Sequence, residues 1–389
     1  MKSPQITRRD FVKRTVVSGV GLAAGLRAAT LGGTARAAGT YTATVAITKG
    51  PDRADNAFRA MSMFRNQIAA AIGNKRIIVK PNFVYYNTWN GLYLSCTHVD
   101  WIEGVLEFLK SIGKTHIMIA ESSANASAMR GYTLNNYYSL LGKYSLQLSD
   151  LNQEGFSLVK IWGNGNRSVE TTPSQTIRIS KLYQNPNNFI ISCAPMKTHN
   201  TAVATLSMKN ISMSAPIVDV GNPWNQSNNR ADKSNMHGPT GATPGDFQVL
   251  NDNVYRMAKV LGIHPHLAVT DGYLGLEGDG PLAGGTNGSG IASPQHLGVV
   301  SLDWVAADRV AWELMGPTDS RWTAAGYIHS NKPTYPACLS YAAQAGLGEW
   351  DLTKIQVIGQ PIAGNIYNYK PHSNLATQIS STSYTTPRE

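Results

Sequence analysis

Short runs of β-branched and apolar residues recur along the chain, and amphipathic segments with helical spacing separate them. The clearest runs are Ile-Ile-Val at residues 77–79, Ile-Met-Ile-Ala at 117–120 and Phe-Ile-Ile at 189–191. Continuous apolar runs of this length are typical of parallel strands buried on both faces, with helices as the connections between them. The alternation therefore predicts a parallel sheet with right-handed crossovers.

Residues 131–187 depart from this alternation. They contain a tyrosine-rich helical segment and two short strand-like segments on either side of a Gly-Asn-Gly-Asn turn at residues 163–166. We interpret them as a partly antiparallel insertion. The predicted fold class is therefore α/β: a mostly parallel, Rossmann-like mixed sheet with helices on both faces and this insertion.

Residues 1–37 are predicted to be an export signal. The sequence Thr-Arg-Arg-Asp-Phe at residues 7–11 resembles a twin-arginine signal, a glycine-punctuated apolar segment follows, and Ala-Arg-Ala at 35–37 supplies a small-residue cleavage site. The apolar part is shorter than the ~20 residues of a spanning helix, which disfavours the alternative of a retained membrane anchor. We expect export by the twin-arginine machinery, to the periplasm or otherwise out of the cytoplasm.

The remaining chain has enough apolar residues for one large core, since the whole sequence is 42% hydrophobic. Residues 38–362 are predicted to form the α/β domain, and the Ser/Thr-rich residues 363–389 a tail. The net charge of +10 falls to +4 once residues 1–37 are set aside, which excludes the strong basic signature of a nucleic-acid partner.

Three widely spaced cysteines, Cys96, Cys193 and Cys338, cannot ligate an iron–sulfur cluster by themselves, so no such cluster is expected. The sequence does not decide whether one pair of them forms a disulfide.

Lysines follow the predicted strands. Lys80 directly follows the strand predicted at 77–79, and Lys197 follows the strand at 189–191, with Pro195 expected to stop that strand. Lysine is most often a solvated surface residue, but residues 189–217 contain only Lys197 and Lys209 and no acid. Ligands of α/β sheets bind beyond the carboxyl ends of strands. We therefore expect a small anionic ligand there, with Asn82 and Asn210 as further contacts.

Histidines accompany these lysines. His199 lies two residues after Lys197, and His237 falls in a long loop predicted over residues 216–245. Both are candidate acid–base or metal-binding groups. His98 is expected in the first turn of a helix capped by Thr97, either as a ligand contact or as a capping or packing residue.

A glycine-rich segment follows a predicted strand at residues 266–270. Asp271, Glu277 and Asp279 are candidate ligands of a divalent metal, and Gly278 and Gly280 would let backbone N–H groups approach a ligand. A flexible surface turn is the alternative.

These motifs resemble domain of unknown function family 362. The resemblance covers residues 77–316, and its most specific elements are Pro-Met-Lys-Thr-His at 195–199 and Lys-Asn at 209–210. It implies a fold and a set of residues, but no reaction. Family members are often linked to ferredoxin-type segments, which this chain lacks.

The leading hypothesis is an exported enzyme that acts on an anionic small molecule, with a divalent metal as candidate cofactor. Lys197, His199, Lys209 and His237 would be catalytic, and Lys80 would clamp the anion. The alternative is a periplasmic anion- or metal-binding or maturation protein without catalysis. A metal-free structural protein is the third hypothesis, and it predicts that His199 and His237 lie far apart.

Overall fold

The structure is a computed structural model. It describes residues 41–84, 88, 92–123, 127–219, 232–238, 247–278, 280, 290–291, 294–316, 328–329, 332–333, 336–372 and 387–389. The predicted export signal lies outside these residues, as does most of the loop predicted over 216–245.

Fifteen strands are defined in the described part of the chain. They are β1 (Ala43–Lys49), β2 (Arg76–Lys80), β3 (Ile117–Glu121), β4 (Leu146–Asp150), β5 (Phe156–Ile161), β6 (Gln175–Ser180), β7 (Asn188–Ser192), β8 (Pro195–His199), β9 (Val203–Thr205), β10 (Leu267–Glu277), β11 (Gly290–Ile291), β12 (Leu297–Ser301), β13 (Ile328–His329), β14 (Lys332–Pro333) and β15 (Ile355–Gly359).

The α-helices of the same residues are α1 (Arg53–Ser62), α2 (Arg65–Ile72), α3 (Val99–Ser111), α4 (Ala128–Leu134), α5 (Ser207–Ser212), α6 (Asp232–Asn235), α7 (Phe247–Lys259), α8 (Trp304–Leu314) and α9 (Ala337–Gln344). No helix in the described residues is long and apolar enough to span a bilayer.

One large sheet organises the molecule. Its main strand order is β15-β1-β12-β10-β7-β2-β3-β4, and β12 runs antiparallel to both of its neighbours while the other pairs in this order are parallel. Strands β5 and β6 pair separately as an antiparallel ribbon. The predicted fold class, with its antiparallel insertion, is confirmed.

The alternation of side chains along β2 shows why its sequence is apolar throughout. Ile77 and Val79 pack on one face of the sheet with Trp101 of α3, whereas Ile78 packs on the other face with Leu250 of α7. Successive side chains of a strand point to opposite faces, so a strand covered on both sides must be apolar at every position. Helices therefore cover both faces of the parallel part of the sheet.

Two predicted elements differ from the structure. Apolar residues recur at helical spacing over residues 54–72 and predict one helix there, but the structure has two, because Phe64 leaves the helical conformation and packs into the core. The strand predicted to end at residue 270 continues to Glu277. This extension matters for the site, because the second half of β10 pairs with β8 after β7 has ended.

The segment after β15 packs on the domain as far as His372. Tyr369 is completely buried, and the backbone N–H groups of Tyr367 and Tyr369 donate to Leu314 and Met315 at the end of α8. The boundary predicted at residue 362 thus falls ten residues before the end of this packed segment. Residues 373–386 lie outside the described part.

Helices α1 and α3 are in close contact at Gly104, where a Cβ atom would lie 2.1 Å from the carbonyl oxygen of Ala54. We predict that Gly104→Ala lowers the free energy of unfolding by about 1–3 kcal/mol, because the two backbones must separate. Urea denaturation measures this change. Gly142→Ala is the control, since no atom lies within 4 Å of its added Cβ; equal effects of the two substitutions would contradict the prediction.

Candidate functional site

A buried ion pair joins the carboxyl ends of two adjacent strands. Lys80 ends β2 and Glu121 ends β3, and Lys80 Nζ lies 2.7 Å from Glu121 Oε2, with both side chains 2% exposed. The same carboxylate accepts hydrogen bonds from the backbone N–H groups of Phe83 and Ser122. The Glu121 carboxylate is therefore hydrogen-bonded at both oxygens, which offsets the cost of burying its charge.

Two asparagines extend this pair into a continuous network. Asn210 Oδ1 accepts from Lys80 Nζ at 2.9 Å and from Asn82 Nδ2 at 2.8 Å, and Asn82 Oδ1 accepts from Lys197 Nζ at 2.5 Å. Asn210 Nδ2 donates to Ser192 Oγ at the end of β7. The sequence-predicted residues Lys80, Asn82, Lys197 and Asn210 are thus brought together by direct hydrogen bonds.

Strand β8 explains the position of Lys197. We predicted that Pro195 would stop the strand before Lys197, but β8 begins at Pro195 and pairs with both β9 and the second half of β10. Lys197 is completely buried, and its Nζ also donates to Ser95 O at 3.1 Å. Burial, followed by the positive charge of Lys209, holds the pKa of Lys197 well below its usual value.

Helix α5 places Lys209 and Asn210. Its start is fixed by Asp308, whose carboxylate accepts from the backbone N–H groups of Ser207 and Met208 at 2.8 and 2.9 Å. Lys209 is 7% exposed and donates to Thr205 Oγ1 at 3.4 Å. Burial lowers the pKa of Lys209 to about 7.

A fourth lysine, Lys233, comes from α6. It is 5% exposed and donates to the carbonyl and hydroxyl oxygens of Ser122, next to Glu121. Burial lowers its pKa to about 7 as well. We call Lys80, Lys197, Lys209 and Lys233 the lysine cluster.

His199 and His237 stack beside the lysine cluster, with ring centroids 6.3 Å apart and planes at 19°. The hypothesis of a metal-free structural protein predicts that the two histidines lie far apart. They lie close together, so their positions give that hypothesis no support. His199 Nδ1 accepts hydrogen bonds from the backbone N–H groups of Thr201 and Ala202, so the neutral ring carries its proton on Nε2. Burial and the charge of Lys209 lower both imidazole pKa values, that of His237 to about 4.

The turn after His199 is strained. Val203, which pairs with His199 across the β8–β9 hairpin, has a φ of 68°. A β-branched residue in the left-handed region costs roughly 1–3 kcal/mol and is found chiefly where surrounding contacts impose it. Here Val203 is completely buried, so packing maintains the turn that orients His199.

The glycine-rich segment contacts the opposite face of β8. Thr198 Oγ1 donates to the carbonyl oxygen of Gly278 at 2.8 Å, and a Cβ on Gly280 would lie 2.3 Å from Thr198 O. These glycines therefore permit close packing on the strand that carries Lys197. The alternative expectation of a flexible surface turn does not fit Gly278 and Gly280.

The two predicted metal ligands that the structure describes, Asp271 and Glu277, have other partners. Asp271 contacts Arg53, Glu277 accepts from the backbone N–H of Lys370, and Asp279 lies outside the described residues. Across the described part of the chain, no group of three His, Cys, Asp or Glu side chains is placed to hold a metal ion. Cys96, Cys193 and Cys338 are buried, and none of these three described residues forms a disulfide.

His98 and Asp271 lie apart from the lysine cluster. They line a cavity of about 400 Å³ together with Arg53, and none of the four lysines lines it. His98, rather than Thr97, caps α3, with its Nδ1 accepting from the backbone N–H of Asp100. Thr97 instead bridges two segments, accepting from the Asn82 N–H and donating to Cys193 O.

Three residues of the site were missed from the sequence. Glu121 follows the apolar run at 117–120, as Lys80 follows that at 77–79, but this signal does not reveal that β2 and β3 are neighbours and that the two residues pair. Lys233 falls inside a predicted loop and His372 inside a predicted tail, yet His372 is 7% exposed and its charge lowers the pKa of His199.

A crystal structure of a protein from Thermotoga maritima, a structural-genomics target, is similar to this chain with a TM-score of 0.34 and 9% identity. The likeness covers 56% of this chain and 50% of that chain, so the chain spans about half the length of this relative. At this level the likeness carries no argument.

No curated protein gives a significant match. The family described as "Domain of unknown function (DUF362)" matches residues 77–313, which include β2, β7, β8 and every member of the lysine cluster. The match covers more than half of the sequence, and the chain therefore belongs to the DUF362 family.

Proposed function

We propose that this protein is an enzyme that binds a small anionic molecule at the lysine cluster and uses the amine of Lys197 as a base or nucleophile. The observation that supports this proposal most directly is the complete burial of Lys197 among other basic groups. Desolvation next to further cations is a known way to obtain a neutral, reactive lysine.

The hydrogen bonds of Lys197 favour the same role. A neutral amine has two N–H groups and one lone pair, and Lys197 Nζ donates to two fixed oxygens, Asn82 Oδ1 and Ser95 O. With both N–H groups directed at these acceptors, the lone pair of the neutral amine is left for a proton or an electrophilic carbon. Asn82 is in turn held by Asn210, so the amine has a defined orientation.

The charges around Lys197 favour an anionic substrate. In the described part of the site, Glu121 is the carboxylate that hydrogen-bonds to a cluster lysine, and it pairs with Lys80. An anion near Lys209 and Lys233 would offset their desolvation when they are protonated. His199 would present its Nε2–H as one further donor.

A carrier that only captures an anion is the second candidate, and it would use the same positive charges. The two candidates differ in what they require of Lys197. A carrier needs charged ammonium groups, whereas catalysis needs a neutral amine near pH 7, which the lowered pKa of Lys197 favours.

We also propose that the protein is exported by the twin-arginine route. The support is the sequence alone: Arg8 and Arg9, the apolar segment and the Ala-Arg-Ala site. This route carries folded proteins, which is compatible with a site assembled from distant parts of the chain.

Glyoxylate, a small aldehyde with a carboxylate, tests the reactive amine. Its carbonyl carbon forms an imine with a lysine Nζ and releases water, and cyanoborohydride then delivers hydride to give N-carboxymethyl-lysine. At pH 7 we expect Lys197 or Lys209 to be labelled at least 10-fold faster than Lys143, because only a neutral amine attacks. Peptide mass spectrometry gives the rates.

Lys143 is the internal control, since its side chain is 54% exposed and paired with Glu103. In Lys197→Met, fast labelling should be lost or confined to Lys209. A labelling order that simply follows solvent exposure would contradict the proposed amine.

Sulfate, whose charge is constant between pH 7 and 9, tests the anion site. The pKa of Lys209 is about 7 in the folded protein and near 10.5 when unfolded, so the unfolded chain binds more protons in this range. The free energy of unfolding should then rise with pH, by up to roughly 1.4 kcal/mol per pH unit for each such lysine. Saturating sulfate should flatten this rise, because it favours the charged lysines.

Lys209→Met should remove part of the rise and weaken the sulfate effect, whereas the exposed control Lys143→Met should leave both unchanged. Identical pH slopes for these variants, measured by chemical denaturation, would count against the site.

Replacing Arg8 and Arg9 together by lysine tests export. We expect the variant to accumulate uncleaved in the cytoplasm, since the twin-arginine machinery reads the arginine pair. Cell fractionation with immunoblotting measures the distribution. A single Lys13→Arg change is the control, and normal export of the double variant would refute this route.

A further inference from the structure

A second group of buried charged side chains shares no residue with the lysine cluster. It lies between helix α7 and the loop that joins β5 to β6. Asp252 of α7 is completely buried, and Arg388 is 7% exposed. Arg388 Nε donates to Asp252 Oδ2 at 2.6 Å, across 136 positions of the sequence. The tertiary fold therefore builds a buried place for this guanidinium group.

Trp162, which directly follows β5, forms one wall of this place. The guanidinium carbon of Arg388 lies 4.1 Å from the centre of the Trp162 ring. Asn253 fixes the tryptophan, because it accepts from the Trp162 N–H and donates to the Trp162 carbonyl oxygen, both at 2.8 Å. A planar guanidinium lies well over an aromatic face, whereas a compact, strongly hydrated ammonium group fits there less well.

Glu170 closes the other end. Its carbonyl oxygen accepts from Arg388 Nη1 at 3.4 Å, and its Oε2 lies 4.0 Å from the same nitrogen. The Glu170 carboxylate is itself held by the backbone N–H groups of Gly163 and Asn164. The guanidinium is thus contacted at Nε, at Nη1 and on its face. We call Trp162, Asp252 and Glu170 the guanidinium slot.

The charges of the described residues around this slot require one further cation. Asp252 and Glu170 bring two negative charges. Arg167, whose Nη2 lies 3.8 Å from Asp252 Oδ1, brings one positive charge. Arg388 supplies the second, so its removal would leave one buried carboxylate charge uncompensated, which is unfavourable. An empty slot would therefore favour a replacement cation of the same shape.

We infer that the guanidinium slot is a specific binding site for a guanidinium group. Arg388 occupies it in the folded chain, and a free guanidinium compound occupies it when Arg388 is absent. The bound group donates to Asp252 and to the Glu170 carbonyl oxygen, with its face against Trp162. The slot thereby anchors residues 387–389 on α7, where Tyr255 also donates to the side chain of Glu389.

Chemical rescue of Arg388→Ala tests the site, with NMR titrations of the full-length protein as the measurement. We expect the folded variant to bind ethylguanidinium, with amide shifts at Trp162 and at Met236, whose carbonyl oxygen also accepts from Asn253. Ethylammonium should bind at least 10-fold more weakly, because it cannot donate in the same fork or lie flat on the indole.

The unsubstituted protein should bind neither compound at the slot up to about 10 mM, because a tethered group has an effective concentration in the millimolar range or above. Arg59→Ala is the matched control. Arg59 Nε lies 2.6 Å from Asp55 Oδ2, as in the buried pair, but the two side chains are 35% and 43% exposed. This variant should gain no ethylguanidinium binding.

Three results would overturn the site: a folded Arg388→Ala that does not bind ethylguanidinium, equal binding of the two compounds, or the same binding by Arg59→Ala. Adding Asp252→Asn to Arg388→Ala removes the uncompensated charge and should abolish ethylguanidinium binding; retained binding would also contradict the slot. If Arg388→Ala does not fold by itself, ethylguanidinium should restore its refolding yield and ethylammonium should not. Absence of this rescue would equally refute the inference.

Discussion

The buried ion pair of Lys80 and Glu121 is the interaction on which the candidate site depends. It ties together the carboxyl ends of β2 and β3. Lys80 donates to Asn210 Oδ1, and the same oxygen accepts from Asn82. A pair buried this deeply adds little net stability, because desolvation offsets most of its attraction. Removing one partner would nevertheless leave the other charge buried and unpaired, at a cost of about 3–5 kcal/mol. The pair therefore holds the side chains of the polar network in position and adds little to the stability of the protein.

The other three lysines of the cluster are buried without such a partner in the described part of the chain, and this is the unusual feature of the molecule. Lys197 has only neutral oxygens as acceptors, Lys209 has a threonine hydroxyl, and Lys233 has Ser122. Burial of ammonium groups lowers their pKa values and costs folding energy. Groups perturbed in this way concentrate at functional sites, where the cost is balanced by what they do to a ligand. The strained turn at Val203, beside His199, points to the same part of the molecule.

The sheet and most side chains of the site were predicted from the sequence, because both follow from where the buried strands end. Apolar runs mark β2, β3 and β7, and the residues that follow them must meet at one edge, which located Lys80 and Lys197. Periodicity does not reveal which strands are neighbours or how far a strand extends, so the Lys80–Glu121 pair was not predicted. Strand β8 was not predicted for the same reason. The second half of β10 extends beyond the predicted strand and needs a hydrogen-bonding partner, and residues 195–199 supply it. Asp271, a predicted metal ligand, stands opposite Pro195 in that ladder and contacts Arg53, a position that the periodicity of the sequence does not reveal.

The packed segment that ends at His372 also determines when the site can form. The N–H of Gly278 donates to Lys370 O, the N–H of Lys370 donates to Glu277, and Gly278 in turn accepts from Thr198 of β8. One wall behind Lys197 is thus completed by Lys370, a residue far later in the chain than β8. Domains fold from the N-terminus during synthesis only as far as their contacts have emerged from the ribosome. The site is therefore completed only after residue 370 has left the ribosome, and a nascent chain halted before that residue would lack this wall.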